Sequence, residues 1–138
     1  MENTLLNDAG YLLRQAAKSR LAQLAQHLEP IGLGVSEASM LVLIGRNPGV
    51  SQAECGRMLS IQPPNLNPIT RRLIERKLID SRKGRGRALC LALTGEGARL
   101  MQGIVAEFEA QEARIYSAIP EHLRRDLVPL LRALWRPS

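Results

Sequence analysis

A short helix with two chemically different faces, at the start of the segment Ile61–Leu93, constrains the fold more than any other feature. From Gln62 onward, Leu66, Ile69 and Leu73 recur at helical spacing and share one face. The opposite face and its flanks carry proline, amide and charged side chains, namely Pro64, Asn65, Asn67, Pro68, Arg71 and Glu75. The pattern predicts a helix that buries one side and presents hydrogen-bonding groups on the other.

The exposed side chains of this helix are suited to the edges of DNA bases. The asparagine amide matches adenine, and the arginine guanidinium matches guanine in the major groove. The formal net charge of the chain is +6, and nine basic residues between Arg57 and Arg87 are opposed only by Glu75 and Asp80. A charge concentrated in this way indicates a polyanion partner, although a solvated basic face is the alternative. The residues expected to contact double-stranded DNA are Pro64, Asn65, Asn67, Arg71, Arg72, Arg82, Lys83, Arg85 and Arg87.

The residues before this helix predict a helix-turn-helix. Ser51 and Glu54 fit a capping box that begins a short third helix ending near Leu59. Only Ser60 and Ile61 then separate it from the fourth helix. Pro63 suits the first helical position there, because its missing N–H would be unpaired in any case. The fourth helix is expected to end near Lys77 and to bend slightly at Pro68.

After the fourth helix, the period of the apolar residues changes from helical to alternating. Leu89, Leu91 and Leu93 alternate with smaller residues, which predicts a strand. Ile79 to Lys83 is the expected partner strand, and Gly84 and Gly86 supply the turn. A two-stranded hairpin with a basic tip, directly after a helix-turn-helix, predicts a wing.

Helices flank this unit on both sides. Residues 5–28 predict one long amphipathic helix, and Ser36 is expected to cap a second helix from Glu37 to Arg46. Thr94 is expected to cap a helix that runs to about Ile119. Pro120 would start the last helix, which Pro129 should kink. The leucine stripe of the first helix is long enough that part of it is expected to pack on another subunit.

Composition limits the class of protein. With 138 residues, 45% of them apolar and 3% aromatic, the chain suits one domain, mainly α with a small β-hairpin wing, around an aliphatic core. No apolar run reaches the roughly 18 residues that span a bilayer, and the N-terminus lacks a basic signal region, so the expected compartment is the cytoplasm. Cys55 and Cys90 form no CxxC pair, and His27 and His122 lack partners at ligand spacing, so neither a metal nor a cofactor is expected.

Three motifs and the order of the predicted elements resemble the MarR family of bacterial transcription regulators. Gly49–Glu54 resembles the entry to the family's third helix, Leu73–Ile79 the end of its recognition helix, and Leu93–Gly97 the Leu-Thr-x-x-Gly that leaves its wing. Arg87 matches the arginine that enters the minor groove in that family. Arg85 stands where many members have an aspartate that orients this arginine, and Pro68 is a second departure.

The resemblance implies a homodimer in which residues 1–138 form one MarR-type domain. Residues 1–30 and 95–138 would form a helical dimerisation region, and residues 35–94 the winged helix-turn-helix. Two recognition helices would then face a palindromic operator with half-sites about 10 base pairs apart. The resemblance also implies repression that a small ligand releases, such as an aromatic acid or an acyl-thioester. Tyr11, Arg14, Gln15 and Met40 could line the ligand pocket, with Arg14 pairing a carboxylate.

A second function is consistent with these features. A winged-helix protein could bind DNA without a small-molecule effector and be controlled by a protein partner or by its abundance. An enzyme is not expected, because the sequence has no Ser/His/Asp or Cys/His pairing, no phosphate loop and no clustered carboxylates.

Overall fold

The computed structural model describes residues 1–84, 86 and 88–136, and it confirms the predicted fold class. Within these residues, six α-helices and one antiparallel β-hairpin follow the predicted order. The elements are α1 (Ala9–Leu28), α2 (Val35–Arg46), α3 (Gln52–Leu59), α4 (Pro63–Glu75), β1 (Ile79–Lys83), β2 (Leu89–Leu93), α5 (Gly95–Ser117) and α6 (Leu127–Leu134). Short 3₁₀ helices span Thr4–Asn7, Glu29–Ile31 and Glu121–Asp126.

Helix α2 lies at the centre of the core. It contributes five buried residues, Ala38, Met40, Leu41, Val42 and Ile44, and it packs against α3, α4, α5 and β2. The predicted apolar face of α4 is buried, with Leu66 and Leu73 at most 2% exposed and Ile69 8% exposed. Burial of this face holds α4 against the core with its opposite face in solvent.

The capping box at the start of α3 is present as predicted. Ser51 Oγ accepts a hydrogen bond from the Glu54 N–H at 3.1 Å, and Glu54 Oε2 accepts one from the Ser51 N–H at 2.9 Å. The hydrogen bond from the Ser51 backbone, and after it the one with the Ser51 hydroxyl, lowers the pKa of Glu54. The charged carboxylate is therefore the form that holds the start of α3.

Both helices of the helix-turn-helix end in left-handed residues that are not glycine. Ser60 after α3 has φ 55°, and Lys77 after α4 has φ 60°. The Leu78 N–H donates to the Leu73 carbonyl at 3.0 Å, and the Lys77 N–H donates to the Ile74 carbonyl at 2.9 Å, which is a Schellman motif. This motif ends α4 at Glu75, two residues before the predicted end.

Replacing Lys77 with glycine is expected to stabilise the protein. A left-handed conformation strains a residue that has a Cβ, so Lys77→Gly should raise the free energy of unfolding by about 0.5–1 kcal/mol. Thermal unfolding at equal protomer concentration measures the change, and a rise of a few degrees is expected. Glu75→Gly, in the last helical residue two positions earlier, should lower the melting temperature. A lower melting temperature for Lys77→Gly would contradict the strain.

The wing is an antiparallel hairpin with the predicted strand bounds. Ile79 pairs with Leu93 at its base, and Lys83 pairs with Leu89 toward its tip. The Gly84 N–H donates to the Ala88 carbonyl at 2.8 Å, and Gly86 in the turn has φ 77°, where glycine is favoured. Arg85 and Arg87 lie outside the described residues.

The first two helices begin at positions other than those predicted. Residues 5–28 do not form one helix: Asn3 Oδ1 accepts from the Leu5 N–H at 3.1 Å and caps a 3₁₀ turn, and the extended Asp8 separates that turn from α1. Helix α2 begins at Val35, two residues earlier than predicted, after Gly34. Glu37 Oε1 accepts from the Gly34 N–H at 3.3 Å, so Gly34 is the N-cap and Ser36 lies inside the helix.

The C-terminal region also differs from its prediction. Helix α5 is capped by Thr94 as predicted but ends at Ser117, and the residues after Pro120 form a 3₁₀ helix before α6. Pro129 therefore lies in the first turn of α6, where its missing N–H leaves no helical hydrogen bond unmade. The predicted kink in a single long helix is wrong for this reason.

Within the described residues, no single helix is long and apolar enough to cross a bilayer. The bent pair Ala9–Ile31 and Val35–Arg46 reaches the required length and apolar composition only when its two helices are taken together.

Candidate nucleic-acid interface

The exposed face of α4 carries the side chains that were expected to read DNA. Pro64, Asn65, Asn67 and Arg71 are all exposed, opposite the buried Leu66, Ile69 and Leu73. Thr70 is also buried, and its hydroxyl bonds back to the Leu66 carbonyl at 3.2 Å. The exposed side chains therefore stand on a helix whose other side is held in the core.

The N-terminus of α4 offers few backbone donors. Pro63 and Pro64 have no N–H, and the N–H groups of Asn65 and Leu66 both donate to the Gln62 carbonyl, at 2.9 and 3.0 Å. Free N–H groups at a helix N-terminus commonly bind phosphate. Because those of α4 are absent or used, contacts with DNA at this end must come from side chains.

Asn67 is hydrogen-bonded to the preceding helix. Its Oδ1 accepts from Gln52 Nε2 of α3 at 2.6 Å, and the two residues are 15 positions apart in sequence. Gln52 was absent from the residues expected at the interface, because no local pattern links it to Asn67. Among the described residues, the amide of Asn65 makes no hydrogen bond and is free for a base.

The two adjacent arginines of α4 have different surroundings. Arg71 is exposed and, among the described residues, makes no ion pair. Arg72 Nε lies 3.5 Å from Glu37 Oε2, and its side chain is 52% exposed. An exposed pair of this kind contributes about 1 kcal/mol at most, but it directs Arg72 toward α2. Arg71 is therefore the better candidate for a base contact.

Arg57 on α3 is a basic residue that was counted in the charged segment but was not expected at the interface. It is exposed and lines a cleft of about 300 Å³ between α3 and the start of α4, together with Gln62 and Ser60. The sequence could have indicated this role, because Arg57 lies in the helix before the recognition helix. In helix-turn-helix proteins, this first helix crosses the DNA backbone.

The described part of the wing is exposed and basic. Arg82 and Lys83 lie at the tip end of β1, and both side chains are in solvent. Leu91 of β2 is buried, and its N–H donates to the Val50 carbonyl at 2.8 Å. This bond attaches the wing to the segment that enters α3, so the wing and the helix-turn-helix are held in one unit.

The four residues expected around a ligand do not form one surface. Met40 is fully buried, and its sulfur lies 3.9 Å from the Thr70 hydroxyl beneath α4. The Tyr11 hydroxyl accepts from Asn3 Nδ2 at 3.2 Å, whereas Arg14 and Gln15 are exposed on α1. The core position of Met40 follows from packing of α4 on α2, which periodicity within α2 alone could not show.

Two cavities lie elsewhere against α1 and α5. One of about 350 Å³ lies between α1, α2 and α5; Arg46 and Phe108 are among its lining residues, with Glu109 and Glu112 beside them. The other, of about 480 Å³, is mostly apolar and lies between α1, α5 and α6; of the described residues that line it, Arg20 alone is basic.

Cys55 lacks the setting of a reactive thiol. Cys55 is buried, and burial followed by the nearby Glu54 carboxylate raises its pKa to about 11. A thiol with such a pKa stays protonated and unreactive at neutral pH. Cys90 is half-buried on β2.

A capped helix-turn-helix, an exposed amide and guanidinium face on its second helix, and a basic hairpin define a winged helix-turn-helix DNA-binding protein.

Comparisons with known proteins narrow this class, although no family model matches the chain. The chain is 28% identical over 134 residues to the HTH-type transcriptional repressor Rv2887 of Mycobacterium tuberculosis, covering 94% of this chain and 96% of the relative. The structure of Rv2887 with p-aminosalicylic acid matches with a TM-score of 0.73 at 27% identity, over 91% and 97% of the two chains.

Two structures from Rhodococcus match more closely in fold. A MarR family transcriptional regulator from Rhodococcus sp. RHA1 gives a TM-score of 0.86 at 27% identity, over 96% of both chains. CouR from Rhodococcus jostii RHA1, bound to p-coumaroyl-CoA, gives 0.84 at 27% identity, over 96% and 95%. Over nearly its whole length, the chain is similar in sequence and fold to MarR family winged helix-turn-helix transcriptional regulators.

Proposed function

We propose that this protein is a sequence-specific, homodimeric transcriptional repressor that releases DNA when it binds a small ligand. The observation that carries the proposal is α4, which buries Leu66, Ile69 and Leu73 and exposes Asn65, Asn67 and Arg71 between a capped α3 and a basic wing. Such a protein acts without catalysis, and it acts in the compartment of the chromosome, the cytoplasm.

The proposed DNA contacts divide by chemistry. Asn65, Asn67 and Arg71 would reach base edges, and Arg57, Arg82 and Lys83 would contact phosphates. Pro64 would pack at the groove edge, and Arg72 would contribute less because it pairs with Glu37. Arg85 and Arg87 remain predicted wing contacts from the sequence.

Dimerisation is proposed from the apolar surface of the terminal helices. None of the described residues Leu127–Leu134 of α6 is buried, and α6 packs mainly on the 3₁₀ helix before it. Large apolar side chains are exposed on both ends of the chain: Leu5, Leu6, Leu12, Leu13, Leu21, Leu123, Val128, Leu130, Leu131, Leu134 and Trp135. An apolar area of this extent favours a second copy of the chain, with residues 1–30 and 95–138 forming the dimerisation region.

The effector class is proposed from the relatives. Rv2887 has been solved with p-aminosalicylic acid and CouR with p-coumaroyl-CoA, and both ligands carry an aromatic ring and an acyl or carboxyl group. In this chain, the cavity between α1, α2 and α5 offers Arg46 for a carboxylate and Phe108 for a ring. Tyr11, Arg14 and Gln15 remain predicted contacts on α1, whereas the buried Met40 would not reach a ligand.

Selection of bound fragments from genomic DNA, with and without aromatic acids and their acyl-thioesters, tests the proposal. Enrichment of one palindromic site that a single compound releases would establish a ligand-responsive repressor. A site bound equally with every compound would leave a regulator controlled by a partner or by abundance. Enrichment of no sequence would overturn the proposal.

Arg71→Ala is expected to separate base reading from backbone contact. If Arg71 reads a base, its loss should weaken operator binding about 5- to 150-fold and random-DNA binding only severalfold. Arg82→Ala, in the wing, is the comparison: it should weaken both alike and reduce the salt slope by about 1. Fluorescence anisotropy over a salt series measures both. Equal losses on the two DNAs for Arg71→Ala would assign it to phosphate.

A further inference from the structure

The hydrogen bond between Gln52 of α3 and Asn67 of α4 joins the two helices of the helix-turn-helix at the exposed face of α4. Gln52 Nε2 donates to Asn67 Oδ1 at 2.6 Å, a short distance for an amide pair. Asn67 is exposed, and Gln52 is half-buried at the first residue of α3. The bond therefore occupies one lone pair of Asn67 Oδ1, and within the described residues Asn67 Nδ2 makes no hydrogen bond.

The bond to Gln52 turns Asn67 Oδ1 toward α3 and so opposes the usual bidentate pair with adenine, although Oδ1 keeps a second lone pair. That pair needs Oδ1 to accept from adenine N6 while Nδ2 donates to N7. Asn67 instead presents Nδ2, a donor, which pairs with guanine N7 or O6, thymine O4 or adenine N7. Cytosine offers only the N4 donor in the major groove, so it has no acceptor for this group.

We propose that Gln52 is a specificity-determining positioning residue that orients the Asn67 amide so that Asn67 reads hydrogen-bond acceptors on bases. Gln52 does this without touching the base. The inference rests on the proposed DNA-binding function and deepens it, because it assigns the class of base edge that one residue of α4 selects.

Substitutions at residue 52 turn the Asn67 amide in opposite directions. Gln52→Lys has only donors, so it keeps Oδ1 occupied and Nδ2 free. Gln52→Glu has only acceptors, so it binds Nδ2 and turns Oδ1 toward the groove. Gln52→Met has a similar length and forms neither bond, which releases the amide.

The experiment determines the base preference of the wild type and the three variants at every position of the selected operator. Wild type and Gln52→Lys should share a preference for guanine, thymine or adenine over cytosine at one position in each half-site. Gln52→Glu should reverse it toward cytosine, by about tenfold in relative affinity. Gln52→Met should lose the preference against cytosine.

Ala53→Glu is the control for the added negative charge of Gln52→Glu. It places a carboxylate on the exposed neighbour of Gln52, about 100° around α3. It should weaken binding to all sequences alike and leave base preferences unchanged. A reversal in Ala53→Glu as well as in Gln52→Glu would attribute the effect to charge and overturn the inference.

Two failures are distinguishable. If the wild type enriches no operator, the proposed function falls. If the wild type enriches an operator and all variants at residue 52 keep the wild-type base preference, the Gln52–Asn67 bond only stabilises the packing of α3 on α4. That result overturns this inference and leaves the proposed function standing.

Discussion

Leu130→Asp is expected to convert the proposed dimer into monomers and to lower operator affinity by about 100- to 10,000-fold. Leu130 is 61% exposed on α6, beside Leu131, Leu134 and Trp135. A carboxylate there meets water in the single protomer but would be buried against apolar side chains in the dimer. A dimer that contacts two half-sites binds the operator about 100- to 10,000-fold more tightly than a monomer that contacts one half-site. Loss of the dimer removes this gain.

Light scattering measures the mass, and anisotropy on the operator measures the affinity. Ile74→Asp is the matched control, because Ile74 is 38% exposed on α4, outside the terminal helices. It should keep the dimeric mass. A Leu130→Asp protein that stays dimeric at micromolar concentration would place the interface elsewhere.

Gly97→Ala is expected to cost about 3 kcal/mol or more of stability, a large part of what a domain of this size has. A Cβ at Gly97 would overlap the Leu78 carbonyl oxygen and lie 3.0 Å from its carbon, both of them backbone atoms that side-chain movement cannot clear. The same carbonyl accepts from the Thr94 N–H at 3.0 Å, while the Thr94 hydroxyl caps Gly97 N at 3.0 Å. The alanine would therefore break the junction of the wing and α5.

Gly95→Ala is the control, since a Cβ at Gly95 meets nothing within 4 Å and alanine favours the helix. Urea unfolding should show Gly95→Ala equal to the wild type or slightly more stable, and Gly97→Ala much less stable. An unchanged midpoint for Gly97→Ala would show that α5 can shift away from Leu78 at little cost.

This junction also explains why one sequence motif was informative. The run Leu93–Gly97 was matched to the family by its letters alone. The structure shows two physical requirements behind it: a hydroxyl at Thr94 that bonds both Lys77 O and the α5 N-terminus, and the absence of a Cβ at Gly97.

Signals that act between residues close in sequence were sufficient for much of the fold. The buried face of α4, the Ser51–Glu54 capping box, the alternation of β2 and the Thr94 cap each depend on residues within one or two turns. Competing local signals caused the wrong predictions for the starts of α1 and α2 and for the kink at Pro129. Asp8, Gly34 and Pro129 each had an alternative role at a helix start, and the neighbouring hydrogen bonds decided between them.

The sequence by itself determined the class of fold, the exposed polar face of α4 and the concentration of positive charge, because periodicity, capping and charge are local properties of a chain. Only the tertiary structure decided what each site residue faces. Met40 is buried beneath α4, Arg72 turns to Glu37, and Gln52 donates to Asn67 Oδ1. These contacts join residues 15 to 35 positions apart, and their geometry depends on how helices pack, which no local pattern specifies.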